Sequence, residues 1–278
     1  MSERLARLSL NQVTTRRLSL PEAVRACAEA GIPGIGLWRD RVEEAGGGAA
    51  RRLIRDAGLT VTSLCRGGFF TAATAQRRAA ALSDNRAAVD QAAEVGAPVL
   101  VLVCGGLPDG SRDLCGARGM VTDAIAELAP YAASHGVRLA IEPLHPMFCA
   151  DRSVVSTIAQ ALDIAELFPP GQVAVMVDAY HVWWDPGLEA QITRAAGRNA
   201  GFQLSDWVLP LPADMLLGRG HIADGCIDFR RLDRGVRDAG YDGWTEVEIM
   251  NADVWAAPAD QTLSLVTSRY RHHVLSQA

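Results

Sequence analysis

"PVLVLVC" (98–104) is an unbroken apolar run, bounded by Gly96 on one side and Gly105–Gly106 on the other. A strand with one wet face alternates apolar and polar residues. This run does not alternate, so it reads as a strand covered on both faces, the environment of a parallel sheet with helices outside it. A helical segment at about 75–95 precedes it and stops at Gly96, and another at about 117–134 follows. Strand, helix and strand in that order define a parallel unit with a helical crossover.

The same unit repeats outward in both directions. Towards the N-terminus, "LTVTSLC" (59–65), "IGLW" (35–38) and "RLSLNQV" (7–13) read as strands, separated by helices at about 46–57 and 20–31. Towards the C-terminus, "VRLAIE" (137–142), "QVAVMVD" (172–178), "AGFQLSD" (200–206) and "GWTEVEI" (243–249) read as strands. Helices at about 153–167, 187–196 and 229–239 lie between them, and one at about 259–274 closes the chain. Eight such units in 278 residues predict an α/β fold, a (β/α)8 TIM barrel forming a single domain over 1–278. The rival is a doubly wound open sheet. It would show a glycine-rich turn after its first strand, and "SLNQVTTRR" (9–17) has none. The glycines of "EEAGGGAA" (43–50) lack both the spacing and the strand–helix junction of a nucleotide loop.

Composition narrows the chemistry. The chain contains no lysine; all 27 basic residues are arginine. Schiff-base aldolases, pyridoxal-phosphate enzymes and Walker phosphate loops each need that amine. The net charge of −5 argues against a nucleic-acid partner. No apolar run is long enough for a membrane span, and the first 30 residues lack the apolar core of a signal peptide, so a cytoplasmic protein is expected. Six scattered cysteines without a C-x-x-C pair read as reduced thiols.

In a parallel barrel the strand C-termini share one rim, where the active site is built. Here strand five ends in Glu142 and strand six in Asp178, strand seven carries Gln203, and strand eight carries Glu246 and Glu248. Gathering buried acids is costly through repulsion and desolvation, and a divalent cation relieves both. Glu142, Asp178, Gln203 and Glu248 offer three carboxylates and an amide oxygen, hard donors that suit Mn²⁺ or Mg²⁺ better than Zn²⁺. The alternative is that each acid pairs with an arginine or caps the next helix. Glu246 shares a face with Glu248 but comes earlier, which predicts a deeper acid supporting the ligands. In "EPLHP" (142–146), His145 sits between two prolines just beyond Glu142, a position for an acid, a base or a loop hydrogen bond. Trp38, Trp183, Trp184 and Trp207 fall near strand ends, where an aromatic ring can stack on a sugar. No arginine cluster with glycine- or serine-rich amide donors is visible, which points to a non-phosphorylated substrate.

Taken together, "IEPLHP" (141–146), "VMVDAYHVWW" (175–184), "FQLSDW" (202–207), "GRGHIADGCIDF" (218–229) and "YDGWTEVEI" (241–249) resemble the xylose isomerase-like TIM-barrel superfamily of sugar isomerases and epimerases. The resemblance covers nearly the whole chain. It implies that Glu142 and Glu248 bind metal and exchange protons with the substrate, that Asp178 is a ligand, and that His181 and Arg219 bind substrate. The family usually places a histidine on strand seven where this chain has Gln203. The implied reaction is metal-dependent isomerisation or epimerisation of a ketose or related polyol ketone through an enediolate, with a carbohydrate as partner and a homo-oligomer as one state open to the chain. The alternative within the same scaffold is a lyase or dehydratase acting on an inosose or 3-keto-glycoside, with His145 as its acid or base. A carbohydrate-binding barrel without catalysis is the third reading.

Overall fold

Val99–Val103 is a strand, and it is covered on both faces. Leu100 and Leu102 join the large core packed between strands and outer helices, whereas Val99 and Val101 join Cys65, Ala140 and Met176 in a smaller core inside the barrel. The computed structural model describes residues 5–275.

Eight parallel strands close the barrel in sequence order. They are β1 (Leu8–Asn11), β2 (Gly34–Trp38), β3 (Thr60–Gly68), β4 (Val99–Val103), β5 (Arg138–Ile141), β6 (Val173–Asp178), β7 (Asn199–Leu204) and β8 (Thr245–Val247), with β8 pairing back onto β1. The helix before β4, Ala75–Val95, starts at Thr74, whose side chain accepts the Arg77 N–H. It ends at Gly96, in the left-handed region at φ 79°, where the Gly96 N–H reaches the carbonyls of Ala92 and Ala93. A side chain there would strain the turn, so the glycine explains why the helix stops in time to feed β4.

The expected order of strands and crossover helices is present, and the differences lie at the rim. Strands seven and eight, expected to reach residues 206 and 249, end at Leu204 and Val247. The cause at strand seven is Asp206, whose carboxylate accepts the N–H groups of Trp207, Gly225 and Ile227 and turns the chain out of the barrel. Asp206–Trp207 then pairs antiparallel with Arg219–Gly220, a small ribbon that periodicity did not foretell. Short helices at Arg39–Ala45, Ala179–Val182 and Ala252–Ala256 are likewise additions. Among the described residues, no helix is long and apolar enough to cross a membrane.

Candidate active site

Register brings the polar side chains together. Asp178 on β6 pairs with Gln203 on β7, and Gln203 pairs with Glu246 on β8. Side chains of paired residues point the same way, so these three share one interior layer. Glu142 lies one residue past β5 and Glu248 one past β8, and all of these side chains are buried.

Glu246 is the deep acid. Its Oε1 accepts from Asn11 Nδ2 (2.8 Å) and Gln203 Nε2 (3.0 Å), and its Oε2 accepts from the hydroxyls of Thr62 (2.8 Å) and Ser63 (2.9 Å). Gly36 leaves the space for it, since a Cβ there would lie 2.3 Å from Glu246 Oε2. The contact with Gln203 has a consequence. The amide nitrogen faces Glu246, whose Oε1 also accepts from Asn11, so Gln203 Oε1 faces away. That oxygen is buried without a hydrogen-bond partner among the described residues.

Arg219, on the ribbon, enters the acid layer from above and is only 2% exposed. Its Nη1 donates to Asp178 Oδ2 (3.1 Å) and to Glu248 Oε2 (2.9 Å), so one nitrogen reaches both carboxylates and their oxygens face a common point. Asp178 Oδ1 also accepts the Tyr180 N–H (2.9 Å) and caps the short helix after β6. Arginine pairing and helix capping are thus both realised at Asp178, but neither is found at Glu142 among the described residues. Asn251 Nδ2 donates to the Arg219 carbonyl (2.8 Å) and holds the ribbon in place.

Glu142, Asp178 and His181 each bring one ligand-type atom within 4.8 Å of the others. Glu248 lies outside that trio, turned to Arg219. The hydrogen bonding of His181 separates it from the carboxylates. Its Nδ1 accepts the His145 backbone N–H (3.2 Å), while Nε2 lies 3.1 Å from Arg219 Nη2 and 3.7 Å from Asp178 Oδ2. Both ring nitrogens face donors, and a neutral imidazole accepts only once. Both donors are fixed in direction, the peptide N–H by the backbone and the guanidinium by Asp178 and Glu248, so the two ring nitrogens compete for one proton. As the acceptor of the Arg219 N–H, Nε2 would ligate a cation only by giving up that contact. Burial, with the charges of Arg219 and His145, holds His181 well below the usual histidine range, so it is neutral.

His145 contributes that backbone N–H. Its ring packs against Trp207 (centroids 4.8 Å apart) and Trp184 (5.5 Å), and its Nδ1 accepts the Met147 N–H. The ring does not line the cavity above the acids.

Burial raises the carboxyls. Desolvation, then Glu248 and Asp178, push Glu142 well above the usual range. Desolvation raises Asp178 against the pull of Arg219, and raises Glu248 to about 7 against the same pull. The one guanidinium among them does not neutralise three neighbouring acids.

A cavity of about 310 Å³ opens over this layer, at the lower end of small-molecule sites. Glu142, Glu248, His181 and Arg219 form its floor, and Trp38, Phe69, Phe148 and Trp255 supply aromatic walls. Trp38 is fixed by its Nε1–H to Asn11 Oδ1 (2.7 Å). The other expected aromatics, Trp183, Trp184 and Trp207, do not line it. Arg16, Arg66 and Arg152 do, although they lie far apart in the chain and no local motif marks them.

The fold and this acid-floored cavity at the C-terminal rim define a barrel of the xylose isomerase type. The chain belongs to the xylose isomerase-like TIM barrel family, whose profile matches residues 24–268. Among solved structures, protein SMc04130 from Sinorhizobium meliloti 1021 is 48% identical over 98% of this chain and 100% of that one, with a TM-score of 0.95. The IOLI protein with a binding zinc atom is 16% identical, covers 96% of this chain and 98% of its own, and has a TM-score of 0.83. D-psicose 3-epimerase, in the presence of D-fructose, is 16% identical over 96% and 99% of the two chains, with a TM-score of 0.78. At that identity the last two share the fold. A comparison with curated proteins gives no match.

Proposed function

We propose that the protein is a divalent-metal-dependent sugar isomerase or epimerase acting on a ketose or related polyol ketone through an enediolate. One observation carries the reading: three buried carboxylates gather around a single guanidinium, and two of them, Glu142 and Glu248, form part of the floor of a cavity. Ionised together, the three would leave two negative charges beyond the guanidinium, the complement of one divalent cation, which would take the place of the protons that their raised carboxyls favour. The unpartnered Gln203 Oε1 completes an oxygen donor set with Glu142, Asp178 and Glu248. These four would hold the ion. All-oxygen donors favour Mn²⁺ or Mg²⁺. The zinc named for the IOLI protein makes Zn²⁺ a necessary arm of any metal panel.

When bound, the cation would polarise the substrate carbonyl and offset the charge that develops on proton loss. The chain's own groups do the rest. Glu248, with its carboxyl raised to about 7, can take up or release a proton near neutral pH. Glu142 stands just past β5, separated from β8 by β6 and β7, and is the second proton carrier. One removes the α-proton and the other returns it; return to the same carbon inverts it, and return to its neighbour interconverts aldose and ketose. His181 lines the cavity where its ring can meet a substrate hydroxyl, and Arg219 holds Asp178 and Glu248 in place. Relatives include an epimerase studied with D-fructose, which supports a carbohydrate substrate. Elimination with His145 as acid or base draws no support from a ring packed against Trp184 and Trp207.

The test is solvent deuterium incorporation into a panel of ketoses, followed by NMR with Mn²⁺, Mg²⁺ or Zn²⁺ present. Exchange that is lost in both Glu142→Gln and Glu248→Gln is expected. Exchange unchanged in those variants, or absent with every metal and ketose, overturns the reading.

A further inference from the structure

Above the acid floor, the cavity wall has the opposite charge. Arg66 projects from β3, Arg152 from the loop after β5, and Arg16 from the segment after β1, and all three line the same space. Their surroundings leave them short of counter-charge. Arg66 is half-buried and lies over the Phe69 ring, its guanidinium carbon 4.1 Å from the centroid. Among the described residues, Arg66 has no side-chain hydrogen bond and no ion pair. The nearby acid Asp84 is occupied by a two-bond pairing with Arg39, at 2.9 Å for each bond. Arg152 Nε is buried without a hydrogen-bond partner, and its single carboxylate neighbour, Asp151 at 3.7 Å, is mostly exposed. Arg16 stacks over Trp255 and has no ion pair among the described residues.

Two partly buried guanidiniums on one wall repel each other, and burial adds a desolvation cost. Together with Arg39, Arg152 holds Arg66 below the usual arginine value, after the larger effect of burial. The protein relieves this arrangement only in part, through the distant charge of Asp84 on Arg66 and the long, exposed contact of Asp151 with Arg152. An arginine fork held over an aromatic ring is placed for two-point recognition of an oxyanion.

We propose that Arg66 and Arg152, with Arg16 at the mouth, form a subsite for an oxyanion carried by the substrate, a carboxylate or a phosphate at the end remote from the reacting carbonyl. The inference rests on the function proposed above for the floor of the same cavity. It makes the substrate an acidic sugar or a sugar phosphate, where the sequence pointed to a substrate without phosphate.

The experiment measures binding by calorimetry at low ionic strength, in the presence of Mn²⁺. The probes are matched pairs: D-glucuronate against D-glucose for the carboxylate, and D-fructose 6-phosphate against D-fructose for the phosphate, with inorganic phosphate alone as a fifth probe. One anionic member is expected to bind about tenfold or more tightly than its neutral partner. That preference should be lost in both Arg66→Gln and Arg152→Gln, while their Mn²⁺ affinity stays that of the parent and so reports an intact floor. Whichever pair shows the preference identifies the anion. Neutral and anionic probes binding equally, or a preference that survives both substitutions, overturns the subsite. The two readings fail separately. Proton exchange on neutral ketoses without anion preference removes the subsite alone. Arginine-dependent anion binding without metal binding or exchange removes the isomerase reading alone.

Discussion

Gln203 gives its amide hydrogen to Glu246 at 3.0 Å, and this contact fixes which way its oxygen points. Glu246 is itself held by three further donors from β1 and β3, so the orientation of a residue at the centre of the site is set from the opposite side of the barrel. Glu246→Gln is expected to free the amide to turn over, and to weaken Mn²⁺ binding by roughly 10- to 100-fold, the usual effect of losing such a support. Calorimetric Mn²⁺ titration of the folded variant checks it. An unchanged affinity would show that the orientation of Gln203 does not matter to the ion.

Arg219 ties Asp178 to Glu248, and its removal would leave both acids unpaired in the interior. In the metal-free protein near pH 7.5, Arg219→Met is expected to cost about 3–5 kcal/mol in chemical denaturation. Saturating Mn²⁺ should recover part of that loss. A variant as stable as the parent without metal would mean that the guanidinium is not what holds the acids together.

Stability should depend on pH in a direction set by Glu248. Its folded-state carboxyl, at about 7, lies above the ordinary value of 4.5, so between these limits the folded state binds more protons than the unfolded one. Stability from this group is therefore present at acid pH and falls as pH rises through that window. The neutral buried His181 acts oppositely, gaining stability as pH rises towards the usual histidine value and levelling off above it. Comparison with Glu248→Gln removes the histidine contribution. Relative to that variant, metal-free parent protein should lose stability from pH 5 to pH 8, read as denaturation midpoints. A difference independent of pH would contradict the raised carboxyl.

Gly36 faces Glu246 so closely that a methyl group cannot be added without displacing the carboxylate. Gly36→Ala is expected to destabilise the protein by about 1–3 kcal/mol, the typical cost of overpacking. It should also loosen Mn²⁺ binding through the shift of Glu246 and Gln203. A variant matching the parent in both would place the carboxylate elsewhere.

Much of this was legible in the chain. Runs such as "VLVLV" (99–103) can only be strands covered on both faces, and their repetition gave the barrel. The acids stood out because strand ends are identifiable and carboxylates are rare there. The deep position of Glu246 followed from its two-residue offset from Glu248. What escaped notice depends on contacts between distant segments. Arg219 was singled out by resemblance, but its tie to Asp178 and Glu248 needs the ribbon that Asp206 induces. The three arginines of the cavity wall come from after β1, from β3 and from after β5, and no local spacing links them. His145 looked well placed between its prolines, yet the fold turns its ring towards the tryptophans and leaves its peptide N–H for His181.

Arg219 does not belong to any stave of the barrel; it is carried in on the return arm of a hairpin that leaves and re-enters at the rim. The intervening stretch, 208–218, includes exposed Leu209 and Leu211 and packs little of its length into the core. Charge balance in the innermost layer is thus delegated to the part of the molecule that insertions and deletions reach most easily. Lengthening or trimming that hairpin would retune the acids like a rheostat, with no change to the sheet on which they stand.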